Sequence, residues 1–226
     1  MPGRTDFYSE NGSKISRNNI NYFDVTTFIF ATHNANKVKE IRSLLGNDYQ
    51  VISLEEAGFT DDIPEPYDTL EENAHEKSRI IYQATGKNCF SEDTGLEVEA
   101  LAGAPGVFSA RYAGPDKSAE ANISKLLADM QDESNRRARF RTIISLILDG
   151  KEYQFEGCCP GRIARAPAGE KGFGYDPVFI PDGAERTFAQ MDLAEKNLYS
   201  HRSRALIKLL EFLNMQKKQP GILWPE

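Results

Sequence analysis

The chain has 226 residues, 40% of them hydrophobic and 27% charged, enough apolar material for one globular unit with a sizeable core. A formal net charge of -7 argues against a general nucleic-acid binder, which needs a basic face to displace counterions, yet a small phosphate ligand needs only a few local cations. Three cysteines, two of them the adjacent Cys158 and Cys159, do not make a secreted disulfide framework; with no membrane-length apolar run and no apolar leader, a cytoplasmic protein with reduced thiols is expected.

Residues 1–26 are polar, rich in Asn and Ser, and without periodicity, which predicts a flexible extension ahead of a single domain over 27–226. Phe28 to Ala31 reads as a strand. After the polar Thr32-His33-Asn34 comes a helix with Val38, Ile41, Leu44 and Leu45 on one face, closed by Gly46. A second strand is expected over Tyr49 to Leu54. Past Pro64 and Pro66, Thr69 with Glu72 three residues on forms a capping box for a helix to about Ala84. Asn88 to Phe90 is a short apolar strand running into Ser91-Glu92-Asp93-Thr94-Gly95. A Gly- and Pro-bearing segment, Gly103 to Gly114, precedes a helix over about Ser118 to Met130. Asp149-Gly150 between the β-prone runs Arg139 to Leu148 and Glu152 to Arg165 is a hairpin signal. That hairpin interrupts the alternation of strands and helices, so a mixed sheet is expected. A final helix runs from Ser200, a good N-cap, to about Asn214, followed by a Pro-containing tail.

Four clusters bear on chemistry. Thr32-His33-Asn34-Ala35-Asn36-Lys37, between strand and helix, offers hydroxyl, amide and ammonium donors to a polyphosphate, though it equally fits a capped helix start. Glu92-Asp93 at the C-terminal edge of a strand places two carboxylates where they are costly unless solvated, paired or metal-bound. Such oxygen ligands suit Mg²⁺, and on a strand adjacent residues point to opposite faces. Gly172-Phe173-Gly174-Tyr175-Asp176-Pro177 fits either a close approach to a flat ligand or an ordinary loop. Glu195-Lys196 and Ser200-His201-Arg202 supply donors to a carbonyl or phosphate. His201 and Arg202 would stand at the end of a helix whose dipole disfavours cations, which hints at a purpose other than helix stability.

In this order and combination the segments resemble the inosine triphosphate pyrophosphatase, or Ham1-like, family. The resemblance runs from Thr27 to about Leu213 and rests on Phe30 to Lys37, Thr69 to Ala74, Glu92 to Leu96, Gly103 to Tyr112, Gly172 to Pro177 and Ser200 to Arg202. It implies an elongated, two-lobed α/β fold around a long central mixed β-sheet with flanking helices, and an active site in the cleft between the lobes. It further implies a Mg²⁺-dependent homodimeric hydrolase that converts ITP, dITP or XTP to the monophosphate and pyrophosphate, clearing non-standard purines from the nucleotide pool. Residue by residue, the resemblance makes Asp93 the catalytic acidic residue, which helps hold the metal and activate water, with Glu65 matching a second acidic residue at the metal. Thr32, His33, Asn34 and Lys37 match the phosphate loop; Phe173, Gly174, Tyr175 and Asp176 match the base loop; Lys196, His201 and Arg202 match base and phosphate contacts. Thr94 and Arg111, within matched segments, join the substrate-binding set. Two departures stand out: His33 replaces a common Gly, which would be strained if the backbone there needs φ > 0, and Glu92 replaces a frequent Asp. Competing readings are a pyrophosphatase of the same fold for modified pyrimidines or canonical nucleotides, a non-catalytic nucleotide sensor, and, least favoured, a nucleic-acid module.

Overall fold

The computed structural model describes residues 26–45 and 49–217. The extension expected over residues 1–26, except Thr26, lies outside them, as do the helix-closing Gly46 and the Pro-containing tail beyond Lys217. The elements in order are β1 (Thr26–Phe30), α1 (Ala35–Leu45), β2 (Tyr49–Ser53), α2 (Leu70–Thr85) and β3 (Cys89–Val98). They continue with β4 (Pro105–Gly106), α3 (Ala119–Asp129), β5 (Arg137–Leu148), β6 (Lys151–Ile163), β7 (Phe179–Pro181), α4 (Leu193–Tyr199) and α5 (His201–Lys217). The strands form one seven-stranded sheet in the order β2-β1-β3-β5-β6-β7, with β4 beside β3. β1 pairs parallel with β2 and β3, and every other pairing is antiparallel. The expected mixed sheet is therefore present.

Its long axis is the β5–β6 hairpin. Asp149 and Gly150 both adopt positive φ (49° and 76°), the two-residue turn whose twist matches the strands it joins. Twelve residues of β5 pair with β6 and ten with β3, so these strands outrun their neighbours and need a core at each end. At one end Phe28, Phe30, Ile41, Phe90, Ile144 and Leu146 meet Leu206 and Leu209 of α5. At the other, Leu96, Val98 and Phe140 meet Leu126, Phe179 and Phe188. These two cores are the two lobes. On the reverse face of the sheet, Ile29, Cys89 and Ile147 pack on Ile81 of α2.

Local signals explain most boundaries. The Thr69 side chain accepts the Glu72 N–H and donates to its carboxylate (3.2 and 2.7 Å), so Thr69 caps α2 as expected, but Glu72 binds the Thr69 hydroxyl and not its backbone N–H, and the capping box is only half formed. α5 lies directly on β6 because Gly157 has no side chain. A Cβ there would come within 2.0 Å of the His201 carbonyl oxygen and 2.4 Å of the Ala205 nitrogen. All three cysteines are free.

Three further expectations change. The strand predicted over Asn88 to Phe90 continues to Val98, because β5 supplies a partner for every residue from Cys89 onward; Glu92 and Asp93 therefore lie mid-strand, not in a turn at its end. Glu195 and Lys196 belong to a separate short helix, α4, that the sequence reading did not anticipate. Ser200 closes α4 and also caps α5, accepting the Ser203 N–H at 3.1 Å. His33 is not among the residues with positive φ, so its replacement of Gly carries no backbone strain. Its Nε2 lies 3.0 Å from the Asp61 carbonyl oxygen and ties the loop to the segment before Glu65.

Candidate active site

The site is built at a gap in the sheet. β3 pairs with β1 only at Cys89 and Phe90, and with β4 only at Leu96 and Glu97. Between them, Ser91 to Gly95 have β5 on one side and no strand on the other among the described residues. The chain leaves β1 at this point: the Ala31 N–H donates to Phe90 (2.8 Å) and the loop Thr32–Asn34 turns away. Thr32 Oγ1 accepts the Asn34 N–H (3.2 Å), and Asn34 Oδ1 accepts the N–H groups of Asn36 and Lys37 (3.0 and 3.2 Å). The loop is thus held by its own side chains and delivers Lys37 to the open edge at the start of α1.

On one face of this edge lies a cavity of about 340 Å³ between the lobes. It gathers Asn34, Lys37, Thr94, Phe173, Gly174, Tyr175, Asp176, Lys196, His201 and Arg202, ten of the expected site residues from five separate segments. The Phe173 loop is pinned from below. Asp176 accepts the Phe173 N–H (2.8 Å) and the Lys196 ammonium (2.6 Å), while the Tyr175 hydroxyl donates to the Ser109 carbonyl (2.9 Å). Burial pushes the Asp176 carboxyl up, and Lys196 pulls it back part of the way. The Lys196 ammonium stands 5.0 Å from the Phe173 ring centroid and the Arg202 guanidinium 5.6 Å, so the ring backs onto two cations.

His201 and Arg202 settle the apparent conflict with the helix dipole in different ways. The His201 ring is stacked on Phe140 (centroids 4.6 Å apart), and burial, reinforced by Arg202 and Lys196, holds its pKa well below 6.5, so it is neutral. Its Nδ1 is the one buried side-chain polar atom without a hydrogen-bond partner among the described residues, and the residue lines the cavity. Arg202 is only 1% exposed and is clasped by Glu92, with Nε and Nη2 donating to the carboxylate at 2.7 and 2.6 Å. Glu92 also takes Lys37 (3.1 Å). Burial opposes ionisation of Glu92, but the two cations win and its carboxyl lies far below the usual range.

Asp93 points to the other face, as strand alternation requires. There Lys77 of α2 donates to Asp93 (2.8 Å) and to Glu65 (2.7 Å), so two carboxylates share one ammonium. Burial and the neighbouring Glu65 charge raise the Asp93 pKa above that of an ordinary carboxyl, against the pull of Lys77. Glu65 moves the opposite way: burial disfavours its charge, but Lys77 and then Lys37 bring it to about 2. The 65–68 segment is fixed by buried Asn73, which accepts the Tyr67 N–H (3.0 Å) and donates to the Tyr67 carbonyl (2.9 Å).

Of the other expected residues, Thr32 serves the loop, His33 faces a neighbouring groove, and Arg111 pairs with Glu65 at 3.6 Å instead of lining the cavity. Several residues of the site escaped the sequence reading, among them the cavity-lining Lys117, Asn122 and Phe140, together with Lys77, and Glu40 of α1, which binds Lys196 (2.8 Å) and Arg202. Lys77 shares the apolar stripe of α2 with Leu70, Ala74 and Ile81, and Glu40 adjoins Ile41. A charge on an apolar stripe was the signal available.

Residues 28–212 match the model of the Ham1 family. The chain belongs to the Ham1 family. Among similar proteins, the dITP/XTP pyrophosphatase of Christiangramia forsetii is 49% identical over 186 residues, 82% of this chain and 98% of that protein. That of Bacillus subtilis is 44% identical over 189 residues, covering 82% and 96%. The Ham1 protein of Staphylococcus aureus superposes with a TM-score of 0.76 at 40% identity, covering 84% of this chain and 99% of that one. The HAM1 protein of Coxiella burnetii gives 0.77 at 37%, covering 84% and 100%. This Ham1-family chain has no helix, among its described residues, long and apolar enough to cross a membrane.

Proposed function

We propose that the protein hydrolyses dITP, ITP and XTP to the monophosphate and pyrophosphate. The observation that carries this reading is the meeting, at one open strand edge, of the recognition cavity with the Asp93 carboxylate. The purine lies against Phe173 with its 6-oxo group toward the donors of Lys196, Arg202 and His201. An adenine would bring an amino donor against those donors and leave buried groups unpaired, which discriminates by about 10⁴-fold where the fit is tight. Rejection of GTP has to act on its 2-amino group.

The triphosphate crosses the edge past Lys37, the cation that touches Glu92 on one face and lowers Glu65 on the other. Asp93, with its raised pKa, takes the proton of a water attacking the α-phosphorus in line, and Lys77 holds the carboxylate for that task. Lys37 steadies charge on the departing pyrophosphate.

The residues present fit a magnesium ion. Among the described residues no group of three His, Cys, Asp or Glu side chains is suited to hold a metal, but Glu65 and Asp93 bring two carboxylates together around the Lys77 ammonium, with Arg111 beside Glu65. Two carboxylates completed by substrate phosphates are a donor set that Mg²⁺ accepts. Glu65 and Asp93 would hold it, and it would supply neutralisation of the phosphate oxygens. The reading extends to a homodimer acting on free nucleotides in the cytoplasm, supported by the family resemblance and testable by sedimentation.

Pyrophosphate release from ITP, dITP, XTP, GTP and ATP, with Mg²⁺ and with EDTA, tests it. Fast release from the first three that EDTA stops is the expected result. Equal release from ATP would remove the base assignment, and no release at all would remove the catalytic one.

A further inference from the structure

Six charged side chains run through the cleft in strict alternation: Asp176, Lys196, Glu40, Arg202, Glu92 and Lys37. The links are 2.6 Å for Asp176 to Lys196, 2.8 Å for Lys196 to Glu40, a close contact from Glu40 to Arg202, 2.6 Å from Arg202 to Glu92, and 3.1 Å from Glu92 to Lys37. Three acids balance three cations, and the series joins the base loop at one end to the phosphate loop at the other. Glu40 is the link at its centre. It is 5% exposed, sits on α1 in the phosphate lobe, and gives one carboxylate oxygen to each of two cations from α4 and α5.

We propose that Glu40 is a positioning residue that sets base selectivity by fixing the donor directions of Lys196 and Arg202; this rests on the reading of the cavity as a 6-oxo purine site. An ammonium has three N–H bonds. Asp176 and Glu40 take two from Lys196, which leaves one in a defined direction. A guanidinium has five. Glu92 takes two and Glu40 one, which leaves two, held in the plane of the fork. Removing the Glu40 charge frees a second direction on Lys196 and one edge of Arg202, so either can turn to suit a different base. The same change leaves a surplus positive charge in the series, which does not weaken the hold on phosphate. A group that merely supported the fold would damage both ends together.

The test compares wild type, Glu40→Gln and Glu40→Asp. Binding of IMP and of inorganic pyrophosphate is measured by calorimetry, and kcat/KM for ITP and ATP is measured alongside. In Glu40→Gln the IMP dissociation constant is expected to rise about tenfold, the scale of one misdirected hydrogen bond, with pyrophosphate binding no weaker than in wild type. The ratio of ITP to ATP turnover is expected to fall by a similar factor. Glu40→Asp keeps the charge but not the reach to both cations, and should show a smaller loss of the same kind. It carries the test if Glu40→Gln does not fold. Unchanged IMP binding and selectivity, or IMP and pyrophosphate weakened in parallel, would overturn the proposal. A wild type with no preference for ITP over ATP would overturn the underlying reading and this inference with it, whereas a preference that survives in both variants overturns the inference alone.

Discussion

On one face of β3 Glu92 is held by two cations and lies within a series whose charges cancel; on the other, its neighbour Asp93 shares one ammonium with a second acid. The first environment drives the carboxyl far down and makes it a structural anion. The second leaves a carboxyl whose pKa is raised by burial and by the neighbouring Glu65 charge. Adjacent residues of similar chemistry thus meet different surroundings because a strand sends them to opposite faces, and the proposed function gives recognition to one face and reaction to the other.

The largest way to break that division is Asp93→Asn, which should lower kcat by on the order of 10³-fold or more while Lys77 keeps Glu65 and the fold persists. Single-turnover rates and circular dichroism check the two halves of the statement. Glu92→Gln should act on the fold instead. It leaves Arg202 and Lys37 short of a buried counter-charge, at a cost of about 3–5 kcal/mol measurable by urea unfolding.

A sharper contrast comes from pH. With no metal bound, the Asp93 carboxyl should titrate above the range of an ordinary carboxyl, read by NMR of the magnesium-free protein. Lys77→Met removes the cation that favours the charged form and should raise that pKa further. A titration that stays in place would remove Lys77 as the partner that sets it.

The smallest effect concerns His201. Its folded pKa is depressed, so below 6.5 the unfolded chain takes up a proton that the folded chain refuses. Stability from this residue is therefore full above pH 6.5 and falls as pH drops, by about 1.4 kcal/mol per pH unit. His201→Gln should flatten that part of the stability profile, read as melting temperature against pH.

Much of this was legible in the linear chain. The strand–loop–helix around Lys37, the Asp149-Gly150 turn, the Thr69 cap and the loop from Phe173 to Asp176 are local signals, each set by a few neighbours. Ten expected residues meet in the cavity because their motifs were specific. Glu40 and Lys77 were missed because a charge on a helix reads as a solvated face until the opposing surface is known. The length of β3 was underestimated for a similar reason: Glu92 to Gly95 have no strong strand character of their own and are extended because β5 pairs with them.

The sequence by itself determined which residue types are available, the short-range caps and turns, and the family. Only the tertiary structure decided the charge state of those residues and which of them act together. Burial and the approach of partners from distant segments turn His201 neutral, Glu92 into a permanent anion and Asp93 into the more basic carboxylate, and those are long-range effects that no local pattern encodes.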